Sequence, residues 1–369
     1  CANQRWRHRV AMCELVGETG SVACAASTLR NLTAAPTTRP SVIALYHIEK
    51  SGGTSVAETL CSARLRDNQG RLPRCYRYVF SHCFFLHHLD LFPWADAYLP
   101  RQAQCREQHI RHRHWKSPAT DRWDELPLTV VEFHSYNTYR FWKFLMPHLP
   151  TLRTRYSAAG GTFLTLVVFR DPVAHTVSTY RYMGTSKRRK PALSQWVREK
   201  GEESSSVYRA PSWGLQVGHL KHLVDVCLDT NQTQAWVGEV CPAGGSPGSG
   251  GFATACSSGE ARGLRAADWL TRLLLRTFDV VATMDKLQNA VNRALACAGA
   301  LPRRVVHVSP MSSGTAALPP AADLLQSLSD SEMGLLRNFV QCDMTLFRAA
   351  AAAAQTQMGW PHAKGICRA

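Results

Sequence analysis

The sequence has no C-x-x-C pair, no long apolar run and comparatively few carboxylates. Its thirteen cysteines are scattered along the chain, which argues against a structural zinc site and favours disulfide bonds formed in an oxidising compartment. No segment approaches the roughly 18 consecutive apolar residues that a membrane span requires. The 27 Asp and Glu residues are outnumbered by 43 Lys and Arg, which gives a formal charge of +16. This surplus predicts polyanionic partners.

Nucleic acid is the least favoured of these polyanions, because the sequence contains no RNA-recognition segment and no zinc-finger spacing. The G-x-x-x-x-G-K-[ST] loop of P-loop NTPases is also missing, since Lys50 precedes Gly52 and Gly53 instead of following them. The hydrophobic content of 45% is ample for a buried core. The 369 residues are compatible with one large α/β domain carrying insertions or with two average domains.

The segment SVIALYHIEKSGGTSVAETL (41–60) predicts a strand, a glycine turn and a helix in immediate succession. A helix N-terminus presents backbone N–H groups and the positive end of the helix dipole, which together favour an anion. Gly52 and Gly53 allow the backbone to approach the anion, and Lys50 adds a positive charge. The hydroxyl groups predicted to complete this cradle belong to Ser51, Thr54 and Ser55.

A second anion-binding unit is predicted in GTFLTLVVFRDPVAHTVSTYRYM (161–183). An apolar run typical of a buried strand ends in Arg170, and Asp171 is a good N-cap for the helix that a proline begins. Ser178 follows about two turns into that helix. An arginine at the end of a strand and a serine on the next helix can hold a phosphate between them.

The segment LTVVEFHS (128–135) predicts a third strand, with Glu132 and His134 at its end. Their spacing of two residues places both side chains on one face of the strand. Parallel α/β sheets gather their ligand groups at the carboxyl ends of strands. His134 is therefore the predicted general base, with Glu132 as an orienting group or as the alternative base.

These motifs resemble those of sulfotransferases that use 3′-phosphoadenosine 5′-phosphosulfate (PAPS), and most closely the Golgi carbohydrate branch containing the heparan sulfate 2-O- and 6-O-sulfotransferases. HIEKSGGTS is similar to the 5′-phosphosulfate loop and FRDPVAHTVSTY to the 3′-phosphate motif. Three further segments match the family less specifically and occur in the same order as in the family: LTVVEFHS, FDVVATMDKLQNAVNRAL (278–295) and LLRNFVQCDMTLFRAA (335–350). The chain departs from the family at Ser51, where a threonine is usual, and at Asp285, where a glutamate is usual.

The resemblance implies a P-loop-NTPase-like α/β fold, a parallel sheet flanked by helices, and PAPS as the sulfate donor. Residues 50–55 would hold the 5′-phosphosulfate, and Arg170 with Ser178 the 3′-phosphate. His134 would take the proton of an acceptor hydroxyl while Lys50 stabilises the leaving phosphate. The family needs no metal for this step, so none is expected.

The expected domain organisation is a stem at 1–40, a single sulfotransferase domain at 41–354 with loop insertions near 67–127 and 241–260, and a tail at 355–369. The insertion at 241–260 is rich in Gly and Ser, and a disulfide between its two cysteines, Cys241 and Cys256, is one possible closure. Further helices are predicted at 192–237, 264–275, 287–298 and 323–354, and further strands at 278–283 and 303–308.

Two glycosylation sequons, at Asn31 and Asn231, agree with passage through the secretory pathway. The resemblance implies a type II membrane protein of the Golgi lumen whose anchor lies upstream of residue 1. Its expected partner is an acidic or neutral glycan. The alternatives are a P-loop-type kinase or NTPase, and a catalytically inactive protein that binds acidic glycans.

Overall fold

A computed structural model of the chain describes thirteen stretches, and the statements below concern these residues. They are 12–15, 22–25, 41–62, 74–76, 128–134, 141–158, 160–183, 191–202, 215–228, 237, 241–242, 259–306 and 321–358. The chain forms two compact units, Cys1–Thr37 and Thr38–Ala369. The predicted stem boundary at residue 40 lies three residues beyond this division.

The first unit contains a two-stranded antiparallel sheet. Its strands are β1 (Met12–Leu15) and β2 (Val22–Ala25), and Cys13 lies opposite Cys24 in the register. The sequence analysis did not predict these strands, because four-residue segments are too short for a periodic signal.

The second unit is built on a five-stranded sheet in which every described pairing is parallel. Its strands are β3 (Ser41–His47), β4 (Arg74–Tyr76), β5 (Thr129–His134), β6 (Thr162–Phe169) and β7 (Val280–Thr283). They lie in the order β4-β5-β3-β6-β7. The predicted α/β class with a parallel sheet is therefore confirmed.

Strand β3 is the centre of the sheet, and all seven of its residues are buried. Such a continuous apolar run forms because both faces of a parallel sheet are covered. Val42, Ala44 and Tyr46 pack into one core layer, and Ile43 and Leu45 pack into the other.

Ten α-helices are described in the second unit. They are α1 (Gly53–Leu60), α2 (Leu149–Ala158), α3 (Pro172–Met183), α4 (Leu193–Glu202), α5 (Leu215–Leu228), α6 (Gly259–Thr277), α7 (Leu287–Cys297), α8 (Ala321–Gln326), α9 (Asp330–Phe339) and α10 (Gln341–Met358). Short π- and 3₁₀-helical turns, Phe141–Leu145, Met146–His148 and Met284–Lys286, precede α2 and α7.

Apolar faces of these helices cover the two sides of the sheet. The layer containing Tyr46 includes Trp269 of α6 and Leu346 of α10, whereas the layer containing Leu45 includes Val56 of α1 and Val291 of α7. None of the described helices is both long and apolar enough to cross a membrane.

The stretch predicted as helical at 323–354 is helical for most of its length, and it is divided into α8, α9 and α10. Ser329 starts α9 through a capping box, in which its hydroxyl accepts from the Glu332 N–H while the Glu332 carboxylate accepts from the Ser329 N–H. This S-x-x-E signal is visible in the sequence. The last helix also continues to Met358, four residues beyond the predicted end of the domain at residue 354.

Three smaller corrections concern the other predicted elements. The described part of the predicted strand at 303–308 has no regular structure. The helical region predicted at 192–237 contains α4 and α5 as separate helices. Cys241 is bonded to Cys227 rather than to Cys256, because the end of α5 brings Cys227 beside it.

A second disulfide joins Cys61, at the end of α1, to Cys75 in the edge strand β4, across 14 residues. Replacing both cysteines by alanine is expected to lower the free energy of unfolding by about 3 kcal/mol, because the bond restricts the unfolded chain. Urea denaturation measures the loss, and peptide mapping of the unreduced protein checks the pairing. Unchanged stability in the double variant would contradict a structural role for this bond.

Candidate anion site and histidine cluster

The topology of the sheet creates a crevice at the carboxyl ends of β3 and β6. From β3 the chain passes to β4 and β5 on one side of the sheet, whereas from β6 it passes to β7 on the other side. Ligands of open α/β sheets bind where neighbouring strands diverge in this way. The loop after β3 contains Lys50, and the residue after β6 is Arg170.

The loop between β3 and α1 is a tight turn with two left-handed residues. Lys50 has φ 59°, Gly52 has φ 91°, and the Ser51 hydroxyl donates to the Ile48 carbonyl at 2.6 Å. Gly52 is the N-cap residue of α1, and no side chain caps this helix. The predicted strand, turn and helix are therefore confirmed, and the first N–H groups of α1 lie at the crevice.

Neighbouring side chains give Gly52 and Gly53 a second reason to be glycine. A Cβ atom on Gly52 would overlap the Met284 sulfur, and one on Gly53 would overlap the His47 ring. The sequence analysis attributed both glycines to the approach of an anion alone.

Lys50 and Arg170 lie side by side, although 120 positions separate them in the sequence. The Arg170 Nη1 donates to the Lys50 carbonyl at 3.0 Å. The Lys50 amine lies 3.7 Å from the centre of the Tyr182 ring. Burial lowers the pKa of Lys50; the negative charge of Glu49 opposes this shift, and the positive charge of Arg170 adds to it. Burial also lowers the pKa of Arg170, and the negative charge of Asp171 opposes that shift. Two partly desolvated cations therefore share the crevice.

The carboxyl end of β6 is held in place by Gln216 at the start of α5. The Gln216 amide accepts from the Arg170 backbone N–H at 3.0 Å and donates to the Arg170 carbonyl at 2.8 Å. Asp343 of α10 in turn accepts from the N–H groups of Leu215, Gln216 and Val217 at 2.7, 2.9 and 2.8 Å. Burial raises the pKa of Asp343 to about 7, while these three donors act in the opposite direction.

The remaining residues predicted for the anion site lie on the two helices that begin at the crevice. Asp171 accepts from the Ala174 N–H at 2.9 Å, which confirms it as the cap of α3. Ser178 of α3 and Thr54 of α1 are partly exposed, whereas Ser55 is buried. Binding of phosphate by these hydroxyl groups stays a prediction.

A second cluster at the same end of the sheet consists of His47, Glu132 and His134. His47 ends β3 and lies opposite His134 in β5, and Glu132 precedes His134 by two residues. The His47 Nδ1 and the Glu132 Oε1 are 2.5 Å apart, and the two imidazole rings meet edge to face with centroids at 4.4 Å. The sequence analysis missed His47, although it directly precedes the anion loop.

Burial distinguishes the two candidates for the general base. The Glu132 side chain is 1% exposed and hydrogen bonds with His47, whereas the His134 side chain is 19% exposed and lies 3.9 Å from a Glu49 carboxylate oxygen. His134 is therefore the more accessible of the two side chains to solvent. Its role as a general base stays a prediction.

Two buried histidines lie behind the anion loop; His175 was missed, whereas His219 was predicted to lie in the core and is buried there. The His175 Nε2 donates to the Glu49 carbonyl at 2.7 Å, while its Nδ1 has no hydrogen-bond partner among the residues that the structure describes. His219 is buried and accepts at its carbonyl from Tyr46 Oη at 2.5 Å. Burial lowers the pKa of His175 to about 3 and that of His219 to about 4.

These lowered values predict a loss of stability in acid. The unfolded chain binds a proton at each histidine near pH 6.5, but the folded chain does not bind one at His175 until the pH nears 3. Between pH 7.5 and 5, His175 should therefore reduce the free energy of unfolding by about 2 kcal/mol. His175→Gln retains a donor for the Glu49 carbonyl and should remove this component, as measured by urea denaturation at both pH values. Parallel pH profiles for the wild type and variant would contradict it.

The sequons at Asn31 and Asn231 lie outside the described residues, as do most of the insertions near 67–127 and 241–260. Comparison of the chain with protein-family models, curated proteins and solved structures finds no match.

Proposed function

We propose that this protein is a PAPS-dependent sulfotransferase that transfers the sulfuryl group of PAPS to a hydroxyl of a glycan, within a P-loop-NTPase-like sulfotransferase fold. The observation that carries the proposal is the meeting of Lys50 and Arg170 in the crevice between β3 and β6. Both residues come from motifs that resemble the family's two phosphate-binding motifs.

The donor would bind across this crevice. Residues 50–55 and the N-terminus of α1 would hold the 5′-phosphosulfate, because the helix dipole and the Lys50 amine favour an anion there. Arg170 and Ser178 would hold the 3′-phosphate. One Arg170 donor is used by the Lys50 carbonyl, and a guanidinium has five N–H donors in all. This hydrogen bond also links the residues of the two proposed phosphate sites.

The reaction needs one base and one group that stabilises the leaving phosphate. His134 accepts the proton of the acceptor hydroxyl, whose oxygen forms a bond to sulfur as the bond from sulfur to the 5′-phosphate oxygen breaks. Negative charge grows on that phosphate oxygen, and Lys50 stabilises it most strongly in the transition state. Glu132 holds His47, which lies against the His134 ring.

The cellular setting belongs to the same proposal. Disulfides at Cys61–Cys75 and Cys227–Cys241 agree with a lumenal compartment, and we place the enzyme in the Golgi lumen as a type II membrane protein. The charge of +16 suits a glycan acceptor that carries carboxylates or sulfates.

Incubation with ³⁵S-labelled PAPS and a panel of desulfated glycans tests the function, with peptides and small alcohols as control acceptors. Labelling of a glycan is expected. Labelling of peptides alone would show that the acceptor is a protein side chain and not a glycan. Hydrolysis of ATP·Mg²⁺ without any sulfate transfer would contradict the proposal and indicate an NTPase. Glycan binding that survives the loss of Lys50 or His134, in a protein that never transfers sulfate, would indicate a lectin.

A further inference from the structure

The side chains of His47, Glu132 and His134 converge on one point of the sheet. Each offers one ligand atom, and these atoms all lie within 4.8 Å of one another. We propose that this group is a binding site for a divalent first-row transition-metal ion of the Zn²⁺ type.

The backbone explains why the three donors converge. His47 and His134 are register partners on neighbouring parallel strands, and Glu132 is two residues before His134. Partners in register and residues two apart on one strand project from the same face of a sheet. The cluster is therefore fixed by the rigid carboxyl ends of β3 and β5, and it does not depend on a loop.

The donor types select the class of ion. Two imidazoles and one carboxylate suit Zn²⁺ and its first-row neighbours, whereas Mg²⁺ and Ca²⁺ prefer oxygen ligands alone. Ligands about 2.0–2.2 Å from a tetrahedral ion lie about 3.3 Å from one another. The His47 Nδ1 and the Glu132 Oε1, now 2.5 Å apart, must therefore separate slightly, and His134 must approach them, which small side-chain rotations allow. The His47 ring lies against Gly53, and its Nδ1 faces Glu132, so we assign the Nδ1 atom as the ligand.

Because the Glu132 carboxylate is buried, a bound cation would compensate its negative charge. The Glu132 side chain is 1% exposed and that of His47 2%, and a buried carboxylate requires a compensating positive charge or donor. A hydrogen bond from His47 meets this need, and an ion bound between the two would replace the shared proton. His134 is 19% exposed and Glu49 lies 3.9 Å from it, which provides a route from solvent and a second carboxylate beside the ion.

The metal site and the proposed sulfotransferase activity are tested by different measurements, so either proposal can fail while the other holds. If both hold, Zn²⁺ should inhibit sulfate transfer, because a His134 nitrogen that holds an ion cannot accept a proton. If no sulfate transfer is found, the metal site is still tested by direct binding.

Titration of the chelator-treated full chain with Co²⁺ is the decisive experiment. A visible absorption spectrum of a four- or five-coordinate Co²⁺ ion is expected at one ion per chain, and added Zn²⁺ should bleach it. Sulfur-to-cobalt charge-transfer absorption should be absent, which separates this site from a site with cysteine ligands, such as one that would include the buried Cys342.

Two variants and one control identify the ligands. Glu132→Gln retains an acceptor for His47 and should weaken Co²⁺ binding at least about 100-fold, as should His134→Ala. His148→Asn removes a half-buried histidine outside the group and should bind as the wild type does. Thermal melting with and without Zn²⁺ serves as a second readout, since only a folded protein with the site gains stability from the ion. A wild-type chain that binds no Co²⁺, or binding that is unchanged in Glu132→Gln and His134→Ala, would overturn the proposal.

Discussion

Replacing Lys50 by methionine is expected to lower kcat for sulfate transfer by about 10²–10³-fold, because the charge that meets the developing negative charge on the leaving phosphate is lost. Methionine keeps much of the length of the side chain and its contact with the Tyr182 ring, so the fold should survive. The loop also depends on the Lys50 carbonyl, which accepts from Arg170, and this bond is retained because it involves the backbone. Steady-state kinetics with labelled PAPS measures the effect.

The matched control is Lys286→Met. The Lys286 side chain is 49% exposed and lies 3.7 Å from Asp285, so its loss should leave kcat within about twofold of the wild type, as for other exposed ion pairs. The proposal also requires the Lys50 variant to lose more in kcat than in KM, since the interaction strengthens in the transition state. An equal loss of activity in both lysine variants would instead reflect the general positive charge of the surface.

Replacing Asp343 by alanine is expected to lower the free energy of unfolding by about 3–4 kcal/mol. The variant leaves the buried N–H groups of Leu215, Gln216 and Val217 without their acceptor, and each unsatisfied buried donor is costly. Because α5 carries the Gln216 side chain that holds the Arg170 backbone, weaker PAPS binding should accompany the loss of stability. Urea denaturation and equilibrium binding of PAPS measure the two effects.

Asp268→Ala is the appropriate comparison for Asp343. Its carboxylate is 68% exposed and lies 3.4 Å from Arg272 on the same helix, so its removal should change stability by less than about 0.5 kcal/mol. Gln216→Leu removes only the link to Arg170. It should weaken PAPS binding with a smaller loss of stability than Asp343→Ala. If the Gln216 variant binds PAPS normally, the link between α5 and the anion site is not functional.

The strand, turn and helix at 41–60 were predictable because their signals are local. An apolar run, two glycines and an amphipathic segment occur within twenty residues, and the observed β3 and α1 fall inside those bounds. The same holds for β6 and α3, where Asp171 caps the helix as expected. By contrast, β4 has only three residues and no pattern of its own, so its place at the edge of the sheet was not predictable.

The candidate site was predictable only in part. Lys50, Arg170, Glu132 and His134 were found because each lies at the end of an apolar strand, where parallel sheets collect ligand groups. His47 was missed because it looks like the last residue of a strand until its partner across the sheet is known. Asp343 was placed in a motif without a role, because its three backbone partners lie about 126–128 positions away.

The sequence by itself determined the parallel α/β class and the strand, turn and helix units at 41–60 and 161–183, since these follow from periodicity and from the placement of glycine and proline. Anion binding by these units and polyanionic partners stay predictions, which rest on the residue types and on the net charge. Only the tertiary structure decided that Lys50 and Arg170 lie in one crevice and that His47 lies beside Glu132 and His134. It also decided that the Asp343 carboxylate accepts hydrogen bonds from the first N–H groups of α5. The physical reason is that strand order and register bring distant residues together through backbone hydrogen bonds, and such bonds leave no pattern in the side chains along the chain.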